Sequence, residues 1–477
     1  MATARGGSAS VNSCAATLLK NIVGAGIFSL PIGLVHATPI PGLAILALVG
    51  VLNAGSFWMI GYCCLTWGVG TFRELWNCVL GQSSAWVIDV LIFLNGWFTL
   101  VSYVVLIGDF TTKSLSGLLG EEHFFARQRV VDQWGIAILV LLPLSMQKDL
   151  SKLKFTSLLG LGVLLYVIFL IIGDACRNAP PQWSDNMVFF ERRLGAFEAI
   201  AIYCQAYSAH YNAPKLFSEL RNPTLYRWFL LVAIAFLSCI VSYSAFALAG
   251  IRRWEDSVQG NILKNYDPTV NVLVAWLGMG FCIAFTYPLV FNSMREAAVN
   301  LAVAVSSGVT GVLRSPSSQR LFERHNRQRR SPSLVNILGA VPDTRKCGGT
   351  GTTVMLVLVT IVVGCRCDDV SLVTALAGSL MGVSVCLVIP ALLFIVSIHR
   401  QLQRLRTPGT NGHSMSTAED LTQPLLSLKG RYLPATTDAP RPLLWLAASW
   451  GYVTLVAGCI FCVIGTTVVL MRAFQQP

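Results

Sequence analysis

Along most of the 477 residues, apolar positions are not spaced at the interval of a half-buried helix but run on almost unbroken. Each run lasts about twenty residues, and as an α-helix rising about 1.5 Å per residue it crosses the roughly 30 Å hydrocarbon layer of a bilayer. Eleven such spans are predicted, at 10–36, 41–66, 84–109, 130–147, 154–173, 195–217, 227–250, 270–294, 351–365, 370–397 and 443–471. The segment TFRELWNCVLG (71–81) gathers its apolar residues on one face, which predicts a short helix lying at the interface. The expected fold class is therefore an all-α, polytopic membrane protein. Two hydrophilic stretches divide it, so that 1–294 holds spans 1–8, 295–350 and 398–442 are loops, 351–397 holds spans 9 and 10, and 443–477 holds span 11 and a short C-terminus.

Composition supports this reading. Hydrophobic residues make up 54% and charged residues 12%, where soluble chains carry about 25% charge. The net charge of +12 does not imply nucleic acid, because the basic residues form no single patch but sit between the apolar runs. The two long loops carry nine and six Lys and Arg, which by the positive-inside rule predicts a cytoplasmic N-terminus; the short loops give no support. RSPSSQRLFERHNRQRRSPS (314–333) has the low hydrophobicity and high charge of a disordered cytoplasmic loop, with Ser315 and Ser331 as candidate kinase targets. EDLTQPLL (419–426) resembles an acidic dileucine sorting signal, which favours a vacuolar or lysosomal membrane over the plasma membrane. No cleavable signal peptide is expected, since a short polar stretch with Arg5 alone precedes span 1. The fourteen cysteines form no paired C-x-x-C set, so no metal site is expected. Cys176, Cys365 and Cys367, near the expected outer ends of their spans, leave one disulfide open. No HExxH helix or catalytic Ser/His constellation occurs in the spans, so no catalytic residue and no cofactor is expected, and an enzyme is disfavoured.

Two spans contain features that an unbroken helix disfavours. Span 1 carries Gly24-Ala25-Gly26 followed by Pro31, and span 6 carries Tyr207, Ser208, His210, Asn212 and Pro214 near mid-depth. Broken helices in corresponding halves, entering from opposite sides, are the strongest sequence pointer to a site at the bilayer midplane. Unwound backbone survives there only where it lines a cavity. Amides of Val23, Gly24, Ala25, Gly26 and Ile27 could then meet a carboxylate, and carbonyls near Tyr207, Ser208, His210 and Asn212 an ammonium. The bland readings stand beside these: Gly24 and Gly26 as a helix-packing surface, and His210 as a packed residue bonded to a neighbouring helix. Lys20, four residues before Gly24, is either a fixed cation or proton carrier beside the break, or a side chain snorkelling to the cytosolic face. Glu198 is an outer-gate candidate. Thr286, before Tyr287-Pro288 in span 8, could offer oxygen to an ion, although a Thr bonded back to its own helix is more frequent. Asp89 and Asp109 bracket span 3 and are expected at the interfaces.

Four blocks now gather into a pattern: LLKNIVGAGIFSLP (18–31), SKLKFTSLLG (151–160), HYNAPKLFSEL (210–220) and TYPLVFNSMRE (286–296). With eleven spans, they resemble the amino acid/auxin permeases of the amino acid–polyamine–organocation superfamily. The resemblance implies a 5+5 inverted repeat of the leucine-transporter type plus one extra helix. It further implies secondary transport of an amino acid by alternating access, with substrate held between spans 1 and 6 and with membrane lipid around the spans. In sodium-coupled relatives an Asn of span 1 and a Thr of span 8 help hold the ion. Here Thr286 matches the Thr, while Lys20, or Asn21 if the alignment slips by one, stands in for the Asn. A cation there argues for H+ coupling or uniport over Na+. A sensor that binds an amino acid and signals through its loops is the alternative of a different class.

Overall fold

The computed structural model describes residues 7–81, 84–147, 154–185, 187–313, 350–406 and 441–475. Ser315, Ser331, the 419–426 motif and most of the two long loops lie outside them, as do residues 151–153 of the second matching block. Among the described residues no strand forms; β pairing amounts to one isolated parallel bridge, Ala9 with Leu220. In a hydrocarbon environment every backbone N–H and C=O must find its partner within the protein, and helices do this segment by segment.

The helices, in chain order, are α1 Val11–Ile22, α2 Leu30–Ala37, α3 Pro39–Trp67, α4 Phe72–Leu80 and α5 Ala85–Leu119. Next come α6 Arg129–Ile136, α7 Lys154–Asn178, α8 Gly195–Ala206, α9 Ala213–Glu219 and α10 Leu225–Trp254. The last are α11 Val270–Leu313, α12 Thr350–Arg366, α13 Val370–Ala377, α14 Ile389–Arg406 and α15 Arg441–Gln475. Among the described residues seven helices are long and apolar enough to cross a membrane, and eight if the bent pair 11–22 and 25–37 counts as one span. The chain is an integral, multi-pass membrane protein. The remaining predicted spans are helical where expected but short or broken. A π-helical turn, Ala137–Leu141, follows α6, and α12 has 17 residues. The predicted interfacial segment is α4, capped by Thr71 and burying Phe72, Leu75, Trp76 and Val79.

Asp89 and Asp109, expected at the interfaces, are both buried within the protein. Span 3 runs on to Leu119, ten residues past its predicted end at 109, so Asp109 is only 3% exposed. Its carboxylate meets Arg129 at 3.1 Å and Lys264 at 3.6 Å and accepts from Asn261. Asp89 is likewise buried and pairs with Arg73 at 3.3 Å. A buried carboxylate needs such partners to remain charged. Cys176, Cys365 and Cys367 are free thiols, as is every cysteine among the described residues.

The two faces of the molecule are tied differently. Opposite the N-terminus, Arg129 joins Asp109 and, at 2.5 Å, Asp368, while Arg472 joins Glu198 and Asp369. There the 255–266 segment also lies against span 1, Gly260 accepting from the Ser29 hydroxyl at 2.9 Å. On the N-terminal face α1 packs on α10, and its leading residues pair with the end of α9: Ala9 N donates to Glu219 O, and Arg221 N to Ala9 O.

Candidate functional site

Span 1 leaves the helix at Val23. Gly24 is extended (φ −140°, ψ −157°), Ala25–Ser29 form one 3-10 turn, and α2 follows at 52° to α1. The first amides of that turn have no intrahelical acceptor. Span 6 leaves the helix after Ala206, makes a 3-10 turn at His210–Asn212 and resumes as α9. Both breaks restart alike, with Pro31 second in α2 and Pro214 second in α9. A proline in the first turn of a helix costs no hydrogen bond. Pro214 thus begins the second half-helix.

The breaks face each other. A Cβ built on Gly26 would lie 3.1 Å from the Cα of Ala206, so a side chain there would press the two backbones apart by a few tenths of an ångström. At Gly24 the same Cβ would meet only the carbonyl of Ile22, at 4.0 Å, so that position fronts open space. Gly24 and Gly26, alike in sequence, therefore do different work. Tyr243 of α10 reaches both breaks: its hydroxyl lies 3.0 Å from the carbonyl of Ile22 and 3.1 Å from that of Ala206.

The predicted residues divide into two groups. Gly24, Ala25, Gly26, Ser208 and Asn212 are partly exposed around the breaks, as is Gln205, which the sequence reading did not name, while Val23 and Ile27 are buried beneath them. Tyr211 is 46% exposed although its neighbours His210 and Ala213 are fully buried. His210 and Tyr207 turn instead into the packing of α3 and α10. The His210 ring, 0% exposed, lies with Nε2 3.0 Å from Ser56 Oγ and 3.2 Å from Asn53 O, edge-on to Phe57. Tyr207 packs against Gly50 and tilts over Tyr243 at 5.1 Å. Side-chain atoms buried without a hydrogen-bond partner gather on span 6, among them Tyr203 Oη, Gln205 Oε1, Tyr207 Oη and His210 Nδ1. Such a density of unpaired polar atoms is unusual in a folded interior.

The residues read as ion-coupling candidates sit on different helices. Lys20 is partly exposed and Asn21 exposed on α1, which packs on α10. Thr286 lies on α11, which packs chiefly on α5 and α7, and its hydroxyl donates to Cys282 O at 2.7 Å. Glu198 is 3% exposed at the start of α8 and holds Arg472 of α15, with His36 of α2 at 3.5 Å. No group of three or more His, Cys, Asp or Glu fit for a metal occurs among the described residues.

Tyr243, Arg472 and the Asn53–Ser56 pair were not singled out by the sequence reading. The signal for the last was present: two polar residues three apart in an apolar run, which at membrane depth mark a functional or packing constraint.

Comparison with known proteins bears on the same residues. The family model described as transmembrane amino acid transporter protein matches residues 7–408. A Danio rerio protein provisionally named sodium-coupled neutral amino acid transporter 11 is 29% identical over 309 residues, 62% of this chain and 66% of that one. The vacuolar amino acid transporter 2 of Saccharomyces cerevisiae is 22% identical over 295 residues, 60% of each chain. Sodium-coupled neutral amino acid transporter 7 of Danio rerio is 21% identical over 304 residues, 60% of this chain and 63% of that one. The matched stretch spans less than two thirds of each of these relatives. With a family match that takes in both interrupted spans and every helix through α14, the chain belongs to the transmembrane amino acid transporter protein family.

Proposed function

We propose that the protein is a secondary transporter of amino acids that binds its substrate between the breaks of spans 1 and 6. The observation that carries this reading is the approach of Gly26 to within contact of Ala206, which sets two unwound stretches face to face. The free amides at Gly24–Gly26 suit a carboxylate, and the carbonyls ending α1 and α8 suit an ammonium, each at the helix end whose dipole matches its charge. Family membership supports a transporter over a sensor or an enzyme. The matched prolines of α2 and α9 support a 5+5 inverted repeat with the last helix appended.

Ionic ties across the face opposite the N-terminus, and exposure of Asn21 on the N-terminal side, favour a conformation open toward the N-terminal face. With the N-terminus cytoplasmic, that is the cytosolic side. Transport is proton-coupled or uniport, the partly exposed Lys20 beside the break standing as a proton carrier in the first case and as a fixed cation in the second. The name of the yeast relative favours a vacuolar or lysosomal membrane.

The test is uptake of a panel of labelled amino acids into proteoliposomes under imposed gradients. Accumulation driven by a proton gradient and indifferent to sodium is expected. Failure to move any amino acid under any gradient overturns transport. Sodium-dependent, proton-insensitive uptake, as the names of the Danio rerio relatives suggest for those proteins, overturns the coupling alone.

A further inference from the structure

The last carbonyls of a helix lack intrahelical donors and carry the negative end of its dipole. Ile22 ends α1 and Ala206 ends α8, so two such ends converge on one point, and at that point stands the hydroxyl of Tyr243. One hydroxyl has one proton, which cannot fully serve two acceptors, and each carbonyl oxygen offers two lone pairs. The pair therefore retains accepting capacity while bonded to Tyr243. The ring is fixed in place: it is fully buried, and it packs on Tyr207, itself stacked on Phe236. Among the described residues no other side chain hydrogen-bonds to both breaks.

We infer that Tyr243 is a positioning and specificity-determining residue, holding the carbonyls of Ile22 and Ala206 together as a two-oxygen seat for a primary ammonium group. The inference rests on the reading that an amino acid binds between the breaks. It adds that the amine is recognised through a fixed hydroxyl that ties the two half-helices, so the seat forms without a metal ion bridging them. An ammonium supplies the donors that the single phenol proton cannot. Each N-methyl group removes one donor, and once a single N–H remains the two-oxygen seat is no longer filled.

The experiment compares inhibition of uptake by an amino acid and by its N,N-dimethyl analogue, in wild-type protein, Tyr243→Phe and Tyr203→Phe. The preference for the parent amino acid is expected to fall about tenfold in Tyr243→Phe, the size of one hydrogen bond to a charged group. It is expected to hold in Tyr203→Phe, which loses a hydroxyl that has no partner. A general structural defect would weaken both inhibitors equally and leave the preference unchanged, and that result in an active Tyr243→Phe overturns the inference without touching transport. Should Tyr243→Phe fail to fold, the wild type decides with mono-, di- and trimethyl analogues. The largest loss of affinity is expected between one methyl group and two, and equal losses at every step would overturn the seat.

Discussion

Span 1 breaks where its side chains run out, and span 6 breaks where its side chains are most crowded. At Gly24-Ala25-Gly26 little but backbone is present, and the chain turns through 52° with Gly24 facing open space. Between Tyr203 and His210 the helix ends among two tyrosines, a glutamine and a histidine, several with unpaired polar atoms. Span 1 thus contributes main-chain dipoles held by absence of bulk, and span 6 contributes geometry held by packing: His210 is bound by Asn53 and Ser56, and Tyr207 is wedged over Gly50. One half of the site is lined by backbone, and the other is anchored by side chains in the body of the protein. A substrate that must be both gripped and released suits such a pairing, because only one side need move.

The sharpest way to break this comparison is to give span 1 the bulk it lacks. Gly26→Val would drive methyl groups into Ala206 and force the breaks apart. Misplacing reacting or binding groups by about 1 Å costs on the order of a hundredfold in rate, and uptake should fall by at least about that factor while the purified protein remains folded. Unchanged uptake would show that the approach of the breaks is incidental.

A smaller effect is expected at the start of span 6, where Glu198 is held by an ion pair. Arg472→Ala leaves Glu198 buried beside His36 without its guanidinium partner. Removing one partner of a buried pair typically costs about 3 kcal/mol, read as a lowered midpoint of thermal unfolding in detergent; Arg472→Lys should recover part of it. Ser56→Ala probes the packing of His210 and should cost about 1 kcal/mol, the net value of one hydrogen bond, with little change in uptake. Smallest of all is Gly24→Ala. With nothing nearer than the Ile22 carbonyl, stability should stay within about 0.5 kcal/mol, while a methyl group in the substrate space raises KM. A stability loss as large as that of Gly26→Ala would erase the distinction between the two glycines.

Much of the architecture was legible from the run lengths of apolar residues, since a span in lipid has to be a helix and must be long enough to cross. The break in span 1 was one of two readings that the sequence allowed, because two glycines around an alanine disfavour an unbroken helix but also suit close helix packing. Span 6 was read at the right place for a partly different reason. Pro214 does not break the helix but starts the next one, and His210, a candidate ligand, is held inside the packing. Tyr243 and Arg472 were missed for one shared cause. Tyr243 is 221 residues from Ile22, and Arg472 is 274 from Glu198. Local periodicity reports which face a residue occupies and says nothing of which distant carbonyl or carboxylate that face will meet. A tyrosine in an apolar run reads as core until a second chain segment is laid beside it.

The central claim is most directly tested by an electron cryomicroscopy map of the protein loaded with a transported amino acid. The account predicts density for the ligand beside Gly24 and Ala25, its carboxylate toward their amides and its amine toward the carbonyls of Ile22 and Ala206. Ligand density elsewhere, with residues 22–27 and 206–212 empty and touching nothing but protein, would contradict it.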